Sequence, residues 1–170
     1  MEHSFDIEVA KVYGIEEAIL FKNICFWIEK NIAKAIENKI TVVAAAGDYG
    51  DKDILFPSNV SGVIGVEAIN NKNMLWEYSN QASNSVMAFP GEQIIAITYR
   101  NNENTVDSTN GTSQASAIAS AYIALIKDYA GKQKVELDNE QLIRILYDLN
   151  TKDGQDINYK YPFKKISEIK

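Results

Sequence analysis

The sequence predicts an α/β fold with a mostly parallel sheet, preceded by an N-terminal helical segment. Three observations carry this. Apolar residues at helical spacing over 15–38 lead into a continuously apolar run, ITVVAAAG, at 40–47. A second run of that kind, SGVIGVEAI, follows at 61–69. A helix of small residues, NGTSQASAIASAYIALIKDY, begins at 110. Helix, buried strand, buried strand and helix is the order expected of helices laid on a sheet.

Residues 6–14 are short and mixed, and no element is assigned there. From Ile15 the apolar positions Ile19, Leu20, Ile24, Trp27, Ile28 and Ile32 form a helical stripe. Glu16 and Glu17 sit in the first turn, where the helix dipole favours negative charge. Lys39 closes the helix before the 40–47 run, which is β-branched at its start and reads as a strand buried on both faces. GDYGDKD, 47–53, is rich in turn residues. SVMAFPGEQIIAIT, 85–98, holds one or two short strands broken at Pro90-Gly91, and NNENTVDSTNG reads as a polar loop. Asp138 with Gln141 three positions on makes a capping box, with Leu137 and Leu142 placed as a hydrophobic staple. The stripe that follows is Leu142, Ile145, Leu146 and Leu149, and the tail is polar with aromatic anchors.

At 170 residues the chain has enough length for a sizeable core. Its net charge of -6 argues against a general nucleic-acid binder. Cys25 is the only cysteine, which excludes an internal disulfide and points to a reducing, cytoplasmic setting. The acidic, interrupted N-terminus has no signal-peptide pattern, and no apolar run is long enough for a membrane span. No phosphate loop, dinucleotide fingerprint or zinc-ligand cluster occurs, so neither a cofactor nor a metal is expected. Asp48, Asp51 and Asp53 lack the spacing of an EF-hand loop.

From Ala33 onward four blocks occur in order: KAIENKITVVAAAGDYG, FPSNVSGVIGVEAIN, EYSNQASNSVMAFPGEQIIA and NGTSQASAIASAYIALI. Together they resemble the C-terminal half of the catalytic domain of subtilisin-like serine peptidases, the subtilases. The resemblance implies a partial subtilisin-like three-layer fold over 34–170, with 1–33 as a separate helical segment. It also implies a nucleophile at Ser113, from the match of Gly111-Thr112-Ser113 to the family's G-T-S-x-A motif. A serine at a helix start has free backbone N–H groups and the positive dipole end beside it, which suits binding of an oxyanion. Asp48 matches the oxyanion-hole position, and substrate contacts are implied at Ala45, Ala46, Gly47, Gly111 and Thr112.

Several departures stand out. The family's Asp and His precede all of the matched blocks, and the only histidine here is His3, without the family's surroundings. Asp48 stands where most subtilases have Asn, although some proprotein-convertase relatives carry Asp. An amide donates to a developing oxyanion, whereas a carboxylate would have to be protonated to do so; one such donor is worth about 3–4 kcal/mol in a subtilisin. Ala117 and Ile118 replace the family's Pro-His, and the substrate-edge strand is missing. Residues 4–32 instead resemble the N-terminal helices of phage replisome-organiser proteins, while AKVYG and NICFWIEKN also echo a subtilase strand and helix. In either case Phe26 and Trp27 are expected to be packing residues.

The expectation is therefore a subtilisin-like endopeptidase homologue, inactive alone for want of a general base. Two alternatives remain: half of a split peptidase completed in trans, or a binding protein with a phage-like helical module. Peptide or protein partners are expected, with neither nucleic acid nor membrane. Self-association or a partner chain is expected at the sheet edge left open by the 40–47 strand.

Overall fold

The computed structural model describes residues 6–81, 87–100, 102–149 and 157–169. The chain forms two compact units, Met1–Ile40 and Thr41–Lys170.

The first unit is a pair of helices, α1 (Ile7–Tyr13) and α2 (Ile15–Glu37). The short N-terminal stretch is helical because Asp6 caps it, its carboxylate accepting from the N–H of Glu8 at 2.8 Å and of Val9 at 3.2 Å. Gly14, at φ 106, makes the turn between the helices. After α2, Lys39 adopts a left-handed φ of 61, and the Ile40 N–H bonds back to the Ala35 carbonyl at 2.9 Å.

The expected core stripe of α2 is largely exposed. Of its six residues only Ile32 is buried, while Leu20 is 61% and Trp27 55% exposed. The covered side of α2 is instead Ala18 and Ile32, with Cys25 and Ile36 half-buried between and beyond them. Apolar residues occupy two faces of this helix, and a periodicity count cannot tell which face finds cover. Phe26 and Trp27 are likewise not packed into a core. Their rings meet edge to face at 5.7 Å, and the Lys30 ammonium lies 4.8 Å from the Trp27 ring centroid.

The second unit is built on a parallel sheet of β1 (Val43–Ala45), β2 (Ile64–Ile69) and β3 (Met87–Pro90), in the order β1-β2-β3. β2 lies in the middle and is buried throughout, as its apolar run predicts. β1 is shorter than expected and half-buried rather than buried on both faces. It is an outer strand among the described residues, and the chain turns away at Gly47, so it is covered less than a central strand.

β4 (Ile94–Arg100) and β5 (Glu103–Thr109) form an antiparallel ribbon. The segment expected to be a polar loop is therefore mostly strand. Its residues pair across to β4, as in Ile97 with Val106, while most remain exposed, so no buried face marks the strand in the sequence.

α3 (Thr112–Lys132) lies against the sheet. Ala115 and Ala119 are fully buried, and their small side chains allow this close approach. The core gathers Ile64, Val66, Phe89, Ile126 and the buried faces of α4 (Asn139–Tyr147) and α5 (Tyr161–Glu168). α4 begins with the predicted capping box. Asp138 accepts from the Gln141 N–H at 2.7 Å, and Gln141 Oε1 accepts from the Asp138 N–H at 3.0 Å. All four residues of its stripe, Leu142, Ile145, Leu146 and Leu149, are buried.

Tyr122 of α3 packs edge to face with Tyr159 at 5.6 Å and donates its hydroxyl to the Tyr159 carbonyl at 2.6 Å. Burial, with the Tyr159 phenol adding to it, pushes the Tyr122 pKa up to about 12. The folded chain thus keeps a proton that the unfolded chain releases above its ordinary pKa of 10. The stability this contributes is complete below pH 10 and is lost as pH rises from 10 towards 12. Urea denaturation across that interval is expected to show a steeper loss of stability in the unaltered protein than in Tyr122→Phe.

Candidate active site

Two segments converge at the start of α3. One is the loop leaving β1, Gly47-Asp48; the other is Gly111-Thr112-Ser113. Thr112 ties them together. Its Oγ1 accepts from the Gly47 N–H at 3.0 Å, while its own N–H and hydroxyl donate to Asp48 Oδ1 at 2.8 and 2.7 Å. Asp48 therefore takes up one of the N–H groups that the first turn of a helix leaves without an intrahelical acceptor. Its sequence separation from Thr112 is 64 residues, so this is a tertiary cap that a local pattern cannot display.

The glycines are needed for that approach. Gly47 has φ +113, and a Cβ there would stand 2.8 Å from Leu55 Cδ1 and 3.0 Å from Asn80 Nδ2. A Cβ on Gly111 would come within 2.9 Å of Asp48 Oδ2.

Ser113 occupies the second position of α3 and is exposed. Its N–H, like that of Gln114, belongs to the first turn, at the positive end of a 21-residue helix. Gln114 turns its Nε2 to the Thr109 Oγ1. An exposed hydroxyl beside first-turn N–H groups that lack an intrahelical acceptor suits attack on a carbonyl and binding of the resulting oxyanion, provided that a base removes the proton.

Asn80 organises the loop and is not singled out by the sequence pattern. It is fully buried. Its Oδ1 accepts from the N–H of Tyr49 at 2.8 Å and of Asp51 at 3.3 Å, and its Nδ2 donates to the Asp53 carbonyl at 2.9 Å. Its own N–H donates to the Gly47 carbonyl at 2.8 Å. Asn beside Ser in a turn-rich stretch is common, and nothing in the local sequence announces a buried amide spanning a loop 27 to 31 residues away.

The Subtilase family model matches residues 22–161. The chain belongs to the subtilase family. Its match begins within α2, so part of that helix lies inside the family pattern. Among curated proteins, the minor extracellular protease Epr of Bacillus subtilis (strain 168) is 34% identical over 132 residues, covering 76% of this chain and 20% of that protein. The major intracellular serine protease of the same organism is 32% identical over 107 residues, covering 60% of this chain and 33% of its own length. The chain thus spans between a fifth and a third of these relatives. Among solved structures, patellamide maturation protease PatA superposes with a TM-score of 0.73 at 21% identity, over 84% of this chain and 57% of that one. That likeness confirms the partial subtilisin-like α/β fold.

In this subtilase the residues expected at the site fall as follows. Ser113 and Asp48 are exposed, Ala45 and Gly47 are half-buried, and Ala46, Gly111 and Thr112 are buried. Thr112, Gly111, Gly47 and Asp48 come together at the start of α3. Ala46 leaves the sheet there, its N–H on the Val66 carbonyl and its own carbonyl taken by Leu55, both at 2.8–2.9 Å. His3 lies outside the described residues. Among the described residues no group of three or more His, Cys, Asp or Glu is arranged to hold a metal, and no helix is long and apolar enough to cross a membrane.

Proposed function

We propose that this subtilase-family chain carries the nucleophile-bearing portion of a serine endopeptidase site and is inactive alone. Ser113 is the nucleophile; the N–H groups at the start of α3 and the Gly47-Asp48 loop form the oxyanion side. Ala45, Ala46, Gly47, Gly111 and Thr112 shape the substrate end, chiefly through backbone. The observation that supports this most is the exposed Ser113 hydroxyl, set in the first helical turn that Thr112 and Asp48 brace against the loop. Inactivity follows from chemistry. A serine hydroxyl needs a base to attack an amide, and the sole histidine of these 170 residues, His3, lacks the family's motif.

Asp48 acts here mainly as an acceptor for Thr112, not as a donor to the substrate oxygen. The peptidase-like portion expected over 34–170 is extended back to residue 22 by the family match, which leaves at most residues 1–21 of the expected 1–33 helical segment as an addition. The single Cys25 suits a reducing, cytoplasmic setting; of the two relatives described, one is named intracellular and the other extracellular. Peptides or proteins are the partners that a peptidase-derived site would meet.

A fluorophosphonate probe and a casein digest test this. The expected result is no labelling and no digestion above the level of Ser113→Ala. Labelling of Ser113 by the chain alone, abolished in that variant, would show a working base and overturn the inactive reading. The trans-completed alternative predicts labelling only after a second polypeptide with Asp and His is added.

A further inference from the structure

Helix α2 presents a second apolar face to solvent. Leu20, Phe21, Ile24, Trp27 and Ile28 follow helical steps of one, three, three and one, and are exposed by 61, 56, 48, 55 and 36%. Tyr13 of α1, 69% exposed, extends the patch, and a groove of about 510 Å³ runs between the two helices beside Leu20, Phe21 and Ile24. At Phe21 and Ile28 this face adjoins the side of α2 that carries buried Ala18 and Ile32. An unpaired apolar surface of this extent is unusual on a monomer.

We propose that this face pairs with the same face of a second copy, antiparallel, about a two-fold axis near Ile24. Charge supports the choice of occupant. The acidic pair Glu16 and Glu17 lies at the first turn of α2, whereas Lys30 and Lys34 lie towards its end. An antiparallel pairing sets Glu16 and Glu17 of one copy against Lys30 and Lys34 of the other, twice over; a parallel pairing sets like against like. The same axis places Leu20 opposite Ile28 and Phe21 opposite Trp27, so the surface is complementary to itself, as an isologous interface requires. Area supports it as well. With roughly 100 Å² left on each of the six side chains, the two copies would bury about 1,200 Å², the lower bound of a specific interface.

Sedimentation equilibrium of the full chain from 1 to 100 μM is expected to show a monomer–dimer equilibrium. Ile24→Glu, which sets two carboxylates face to face at the axis, weakens it at least tenfold with helix content by circular dichroism unchanged. Should that variant misfold, charge reversal decides. Glu16→Lys/Glu17→Lys and Lys30→Glu/Lys34→Glu each self-associate at least tenfold more weakly than the unaltered chain, and an equimolar mixture recovers the dimer. A monomer at 100 μM, which would mean that the face is covered within the chain or by a different protein, overturns the proposal. So does a dimer indifferent to Ile24→Glu, open-ended assembly, or charge-reversed variants that dimerise as tightly as the parent.

Discussion

Phe89→Ala is expected to lower the stability of the unit Thr41–Lys170 by about 3–5 kcal/mol. Phe89 is 2% exposed at the middle of β3, with the Tyr122 and Tyr159 rings 5.5 and 5.8 Å away. Truncation removes the buried ring and its contacts with two aromatic neighbours that hold each other in place, so the cavity has little means of collapsing. Domains of this size have about 5–15 kcal/mol in total, and the variant is expected to sit near its unfolding midpoint well before the unaltered chain. Urea denaturation monitored by far-ultraviolet circular dichroism measures the change. A loss below about 1 kcal/mol would contradict the packing. Tyr99→Ala, on the exposed ribbon and 70% exposed, serves as the comparison and is expected to change stability by less than about 0.5 kcal/mol.

Asn80→Ala is expected to have the second largest effect, about 2–3 kcal/mol, and to disturb the start of α3 from a distance. The side chain serves the N–H groups of Tyr49 and Asp51 and the carbonyl of Asp53, and alanine leaves all three without their partner. Water can reach parts of this loop, since Tyr49, Gly50 and Asp51 are exposed, which keeps the cost below that of three fully buried orphans. Gly47 is bound to both Asn80 and Thr112, so the amide resonances of Gly47, Asp48 and Thr112 are expected to shift together in nitrogen–proton correlation spectra. Asn80→Asp keeps the acceptor for two N–H groups but sets a carboxylate oxygen against the Asp53 carbonyl at a fully buried position, so a loss at least as large as that of Asn80→Ala is expected. Shifts confined to residues 49–53 in Asn80→Ala would show that the loop does not brace α3.

Where local chemistry sets the outcome, sequence and structure agree. The capping box of α4 follows from Asp138 and Gln141 alone, and β2 follows from an apolar run that only a central strand can bury. Ser113 stands at the start of α3, where its motif places it. Where pairing with another segment decides, agreement fails. β5 exists because it pairs with β4, and its polar residues gave no sign of that pairing. Asn80 matters because the loop at 49–53 comes to it, and Asp48 caps Thr112 because the chain returns after 64 positions.

Composition and periodicity determined the α/β class, and the motifs determined the resemblance to the family, the place of Gly111-Thr112-Ser113 and the lack of a motif-bearing histidine. These depend on residue type and short spacing, which a linear chain displays directly. Tertiary structure alone decided which face of α2 is covered, how far β1 extends and how the Gly47-Asp48 loop is fastened to α3. Burial and hydrogen-bond partnership belong to pairs of distant segments, and a side chain's value in either depends on what the fold brings to it.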